Sequence, residues 1–351
     1  MAGGIAGVAG GSAQAGGVSG TAGGSSSAGG VSGAAGGFAN AGGVSGAGGS
    51  SGGAAGTHSL RSIDNGPNQY EYGRLTQFPP GFGAQEFTFE IWVRLDSRSA
   101  YPVGPCGSGG DVRRNWCSEN NPRYVSNCWW CNGNFLIDGV EFNNPQGIGT
   151  FALQFYGGGR VRWLFGDGAP TASNQDGYWS VGNGPSASNP SLLDGRWHGL
   201  AVVRRFLGVS GAALELWIDG HLIDTETTFR RTNLESSWSS YASSTNAFDG
   251  WYFFAEKQAA LGRLSLFEDY KGPVDEMRFY TRAKSPTELG QWRTPVSAST
   301  PGLVAWFDFT GATSNRACDR LGGNRCLTLV DGNPTSSILS DENVEGLDGG
   351  P

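Results

Sequence analysis

Alternation of apolar and polar side chains is the strongest signal in this chain. Phe87, Phe89, Ile91, Val93 and Leu95 fall on one side of an extended backbone. Thr88, Glu90, Trp92 and Arg94 fall on the other, the period of two that marks a strand with one buried face. The same reading predicts strands over 60–63, 70–75, 151–156, 160–165, 261–267, 274–281 and 303–309. Between them Asp194-Gly195-Arg196-Trp197-His198 reads as a polar turn that launches a further strand. Its partner ends at Asp219-Gly220, a dipeptide suited to a type I′ hairpin turn because both central residues need positive φ. Alternation places Leu214, Leu216, Ile218, His221 and Ile223 on one face of that hairpin, with Glu215, Trp217 and Leu222 on the other. A helical turn is expected over 285–292, with Pro286 at its first position.

About ten to thirteen strands, turns at regular spacing and one short helix predict an all-β fold, a two-sheet antiparallel sandwich. The aromatic-rich stretches 97–148 and 230–258 read as long insertions, and 166–193 as a polar loop. Residues 1–56 are different, being almost all Gly, Ala and Ser in 13-residue repeats that open Ala-Gly-Gly-(Val/Ile)-(Ser/Ala)-Gly. Such a segment cannot bury a core and reads as a tether. Glycine at every third position would also permit close packing in an assembly, although no proline stiffens it. The expected organisation is 1–56 repeats, 57–335 sandwich and 336–351 polar tail.

The blocks "DGRWHGLAVVR", "LELWIDGHLID" and "GPVDEMRFYTRAKSPTEL", in this order, resemble the core of laminin-G-like domains within the concanavalin A-like jelly rolls. The resemblance covers roughly 59–310. It implies a jelly-roll topology and a module that binds glycans, glycosaminoglycans or proteins, often with structural Ca2+.

The net charge of −7 gives no basic field for nucleic acid, and no Lys/Arg cluster marks a membrane surface. No stretch is apolar and long enough to span a bilayer. Met1 is followed by neither a basic region nor an apolar run, which points to a processed or incomplete chain. The six cysteines, Cys106, Cys117, Cys128, Cys131, Cys318 and Cys326, all fall in Gly/Asn/Arg-rich sequence read as loop. They predict disulfides and an extracellular or cell-surface location. Cys318 with Cys326 is the default pair, whereas the other four allow three connectivities. A four-cysteine zinc site is the alternative for those four, but only Cys128-x-x-Cys131 supplies a close pair.

No Glu-x-Asp-x-x-Glu pattern of paired carboxylates occurs, and His58, His198 and His221 lie in unrelated settings. The expectation is therefore a protein without catalysis. Flat rings stack on sugar C–H faces. Trp92, Trp163, Trp197, Trp217 and Trp306 lie in strands and read as structural. Trp116, Trp129, Trp130, Trp238 and Trp251 lie in the insertions and are the candidate ligand contacts. The expected partner is a glycan or a surface protein. The competing reading is a structural or adhesive subunit that self-assembles through residues 1–56. A calcium site is expected from Asp64, Asn65 and Asp275, since alternation puts Asp275 on the face of Met277 and Phe279, where a bare carboxylate is costly.

Overall fold

The computed structural model describes residues 59–62, 72–95, 134–139, 149–156, 159–167, 178–182, 189–209, 211–228, 230–235, 250–255, 270, 272–310, 312–313, 315–330 and 339–340. The chain divides into two units, Met1–Ser51 and Gly52–Pro351, and all described residues lie in the second. They form sixteen strands and one helix. In chain order these are β1 (Ser59–Ser62), β2 (Tyr72–Leu75), β3 (Phe87–Val93), β4 (Asn134–Gly139), β5 (Phe151–Tyr156), β6 (Arg160–Gly166), β7 (Tyr178–Val181) and β8 (His198–Leu207). There follow β9 (Gly211–Ile218), β10 (His221–Thr228), β11 (Trp251–Phe253), β12 (Gly272–Tyr280), α1 (Pro286–Gly290), β13 (Leu303–Phe307), β14 (Arg316–Cys318), β15 (Cys326–Val330) and β16 (Leu339–Ser340).

Two antiparallel sheets make a jelly-roll sandwich. The first runs β10-β9-β8-β3-β12-β1-β16, with β13 also paired to β12. The second runs β14-β15-β2-β11-β4-β5-β6-β7. Their inner faces meet in one core that includes Phe89, Ile91, Val202, Leu214, Met277 and Phe279 from the first sheet. Phe151, Leu153, Trp163, Trp251 and Phe253 come from the second. Interlocked rings fill its middle: Trp251 stacks on Phe151 at 4.2 Å, and Phe279 meets Phe89 edge-on at 4.9 Å.

The predicted hairpin forms as β9 and β10, with Asp219 and Gly220 at φ 50° and 76°. The predicted helical turn forms as α1, where Ser285 and Glu288 complete a capping box behind Pro286. Other expectations are corrected. β4 lies inside the stretch read as one insertion, β7 inside the stretch read as a loop, and β16 inside the tail. β11 sits within the second aromatic insertion, so Trp251 is a core residue, 1% exposed, and not a ligand contact. Cys318 and Cys326 lie on strands β14 and β15 and not in loops. The predicted strand 261–267 lies outside the described residues.

The largest correction concerns β12. Its pairing with β3 slips between Asp275 and Met277, and Glu276 takes a positive φ of 37°. This bulge inserts one residue and changes the phase of the alternation. Asp275 therefore stands opposite Trp92, on the outer face, while Met277 stays opposite Ile91 in the core.

That outer face of the first sheet is itself buried. Glu90, Glu276, Arg278 and Lys284 lie there, all buried. Lys284 pairs with Glu90, and Arg278 donates to Glu276 at 2.6 Å while its guanidinium lies 4.3 Å over the Trp92 ring. Burial pushes the Glu276 carboxyl up against the opposing pull of Arg278. The segment around α1 closes the face. Leu289 packs on Ala201, Val203 and Trp217, and Trp292 packs with Trp197 on Trp92. Trp292 reaches the sheet because residue 199 is glycine: a Cβ there would stand 2.4 Å from its ring.

Two expected outcomes follow from this packing. Trp251→Ala should cost about 3–5 kcal/mol through the cavity it leaves, read from urea unfolding midpoints. Glu90→Ala should cost a similar amount, about 3–5 kcal/mol, because Lys284 and Arg278 stay buried with one anion fewer. A loss below about 1 kcal/mol in the second variant would mean that water reaches the network.

Candidate functional site

The second sheet exposes polar side chains at the end formed by β14, β15 and β2. Alternation along β15 sends Leu327 and Leu329 into the core and leaves Thr328 exposed. β14 buries Ala317 and turns Arg316 and Cys318 outward, and β2 buries Leu75 while Arg74 stays half-exposed. Register then aligns one row across the sheet. Arg316 stands opposite Thr328, Thr328 opposite Arg74, Arg74 opposite Tyr252, and Tyr252 opposite Asp138. Arg74 lies over the Tyr252 ring at 5.7 Å, and Tyr72 lies 5.4 Å from that ring.

A pocket of about 290 Å3 opens here, lined by Thr76, Gln77, Asn315, Arg316, Asn324, Cys326 and Thr328. The Cys318–Cys326 disulfide ties β14 to β15 across directly paired positions. Arg316 Nε lies 2.9 Å from both sulfurs, which braces its side chain. Asp319 anchors the intervening loop: it accepts from Trp306 N at 2.9 Å, Leu321 N at 3.0 Å and Arg325 Nε at 2.9 Å. Thr313 donates to Asn315 Oδ1 at 2.9 Å and so fixes that amide. The lining thus offers three amides, two hydroxyls and one guanidinium. Among the described residues lining it there is no carboxylate and no imidazole, hence no acid–base couple.

The titratable cluster that most resembles a catalytic arrangement is structural. His198 Nδ1 lies 2.7 Å from Asp219 Oδ2, and its Nε2 lies 2.9 Å from Asp194 Oδ1. Asp219 Oδ1 also accepts from Gly199 N at 2.9 Å, and Asp219 N donates to Gly199 O at 2.9 Å. The ring therefore clamps the β9–β10 turn to the start of β8. Burial acts to lower the His198 pKa, but the hydrogen bonds to Asp219 and Asp194 outweigh it and hold it above the ordinary 6.5. His221 Nδ1 lies 2.9 Å from the backbone oxygen of Asp219, and His58 lies outside the described residues.

Of the sequence-predicted site residues among those described, the structure brings Cys326 to this pocket, with Cys318 joined to it through the disulfide. Trp116, Trp129, Trp130 and Trp238 lie outside the described residues, as do Cys106, Cys117, Cys128 and Cys131. Asp64 and Asn65 also lie outside them. Asp275 faces away from the core and accepts from Glu276 N at 2.7 Å, so a bare core carboxylate no longer argues for calcium at that position. Among the described residues no group of three or more His, Cys, Asp and Glu side chains is placed to hold a metal ion. None of them forms a helix long and apolar enough to cross a membrane. Arg316, Asn315 and Thr328 escape a reading of the sequence, although the period-two pattern of Cys326–Val330 is a usable signal.

The His198 clamp predicts a pH dependence. A folded pKa above 6.5 means that the native state holds its proton more tightly, so the clamp's contribution is complete below about pH 6.5. It is lost as pH rises through the higher folded value. Wild-type stability should fall across that window relative to His198→Gln, measured as urea midpoints from about pH 5 to 9. Parallel curves for the two proteins would remove the clamp from the account.

No protein-family model matches the chain, and no curated protein matches it. Among solved structures it is similar to a Bacteroides ovatus protein proposed to bind carbohydrate, with 14% identity and a TM-score of 0.44 over 78% of this chain. The match covers 60% of that protein's length. It is also similar to a heptameric SAP-like pentraxin from Limulus polyphemus, with 11% identity and a TM-score of 0.36 over 78% of this chain and 94% of that one. A third neighbour is the mouse laminin alpha1 chain, domains LG4-5, with 15% identity and a TM-score of 0.30 over 62% of this chain and 44% of that one.

Proposed function

We infer that this chain is a ligand-binding sandwich that takes a saccharide on the open end of the second sheet and does not cleave it. One observation carries the reading: the pocket gathers amides, hydroxyls and a guanidinium with no acid–base pair among its described lining residues. Sugar hydroxyls both donate and accept, and so do Asn, Gln and Thr side chains. A few such groups fix a ligand's orientation, with the rim of Tyr72 beside them on the same face. The first sheet offers no equivalent among the described residues, since α1 and Trp292 already occupy its outer face. The half-exposed disulfide at the pocket fits an oxidising, extracellular setting.

A glycan array probed with the full chain should return a restricted set of saccharides. The double variant Gln77→Ala/Asn315→Ala should then bind those hits about tenfold more weakly, as expected for two lost hydrogen bonds of modest net worth, with an unchanged melting temperature. Undiminished binding by that variant would place the ligand elsewhere.

A further inference from the structure

Among the described lining residues, the pocket's single cation has no counter-ion of its own. In the same hairpin Arg320 pairs with Asp308, and Arg325 pairs with Asp319. Elsewhere Arg205 pairs with Glu215 and Arg282 with Glu288. The Arg316 guanidinium makes no ion pair among the described residues, and its Nε is spent on the two disulfide sulfurs. Its residue lines a pocket whose other described lining groups are neutral. The side chains of Thr76, Gln77, Asn324 and Thr328 likewise have no hydrogen-bond partner among the described residues.

We propose that the pocket selects saccharides bearing an anionic group, with Arg316 receiving the carboxylate or sulfate and Thr328 a neighbouring oxygen. The proposal rests on the saccharide reading above and narrows it. Several observations converge on it. A guanidinium presents a planar fork that matches two oxygens of an oxyanion, and a charge-assisted bond is about twice as strong as a neutral one. The brace from the disulfide lowers the ordering cost of that fork on binding. The chain's net charge of −7 repels polyanions in bulk, so anion binding here must come from this local site and not from a general field.

The test uses the full chain, oxidised, in isothermal titration calorimetry at one salt concentration. The probes are tetragalacturonic acid and its methyl ester, and sulfated and unsulfated maltotetraose. At least one charged probe should bind about tenfold or more tightly than its neutral partner, and the pair that shows the preference tells carboxylate from sulfate. Arg316→Gln should abolish that ratio, weakening the charged partner about tenfold more than the neutral one. Arg293→Gln, the same charge change on the α1 side of the first sheet, should preserve it. Melting temperature checks that each variant is folded. Equal binding of charged and neutral partners by the wild type would overturn anion selection and leave the saccharide reading standing. A ratio that survives Arg316→Gln would overturn the assignment to this residue. Binding of none of the four probes would overturn anion selection by this pocket, and the glycan array would decide the saccharide reading separately.

Discussion

Desolvated charge on the outer face of the first sheet constrains everything else in this fold. Glu90, Glu276, Arg278 and Lys284 are ionic groups taken out of water between a sheet and a strap. Each unpaired ion in such a place costs several kcal/mol. The strap from Arg282 to Trp292 therefore cannot leave cheaply, because it carries Lys284 itself and the ring that covers Trp92. Arg282 and Glu288 fasten the strap at the surface. Their hydrogen bonds, together with the Ser285 cap, hold the Glu288 carboxyl at about 2. A sheet sealed in this way is committed to structure.

Much of the frame can be read from the chain because alternation and turn chemistry are local. β3, the β9–β10 turn at Asp219-Gly220 and the α1 cap each depend on residues adjacent in sequence. The bulge at Glu276 cannot be read in that way. The two acids between Val274 and Met277 interrupt the two-residue period, but alternation alone does not say which of Asp275 and Glu276 is the extra residue. The slip is settled by long-range pairing with Ile91 and Trp92 and by the salt bridge that Arg278 offers to Glu276. Alternation puts Asp275 on the wrong face for that reason alone. Trp251 misleads for another: tryptophan suits both a binding loop and a core, and β11 is only three residues long, too short to show a period.

The pocket is illegible in the sequence for a compositional reason. Gly, Asn and Arg around Cys318 and Cys326 look like loop chemistry, and in the turn between the strands they are. Gly322, Gly323 and Asn324 take positive φ there. The strands on either side are brief, and their outward residues are polar because they face solvent. Pairing Cys318 with Cys326 from sequence joins the right atoms, but read as loop closure it hides the sheet that carries them.

How the charged side chains are used bears on what the protein can do. Hydrolysis of a glycoside needs two carboxylates free to exchange protons or attack a sugar. Asp194 and Asp219 here grip His198, Asp308 and Asp319 hold arginines, and Glu215 accepts from both Arg205 and the Trp217 indole. Glu90 and Glu276 are sealed beneath the strap. A carboxylate already serving as the acceptor for a buried or clamped cation cannot change protonation without loosening the fold. Among the described residues, the groups left to meet a ligand at the second-sheet pocket are neutral amides and hydroxyls with one uncompensated guanidinium. Such a set offers donors and acceptors suited to holding and orienting a hydroxylated molecule.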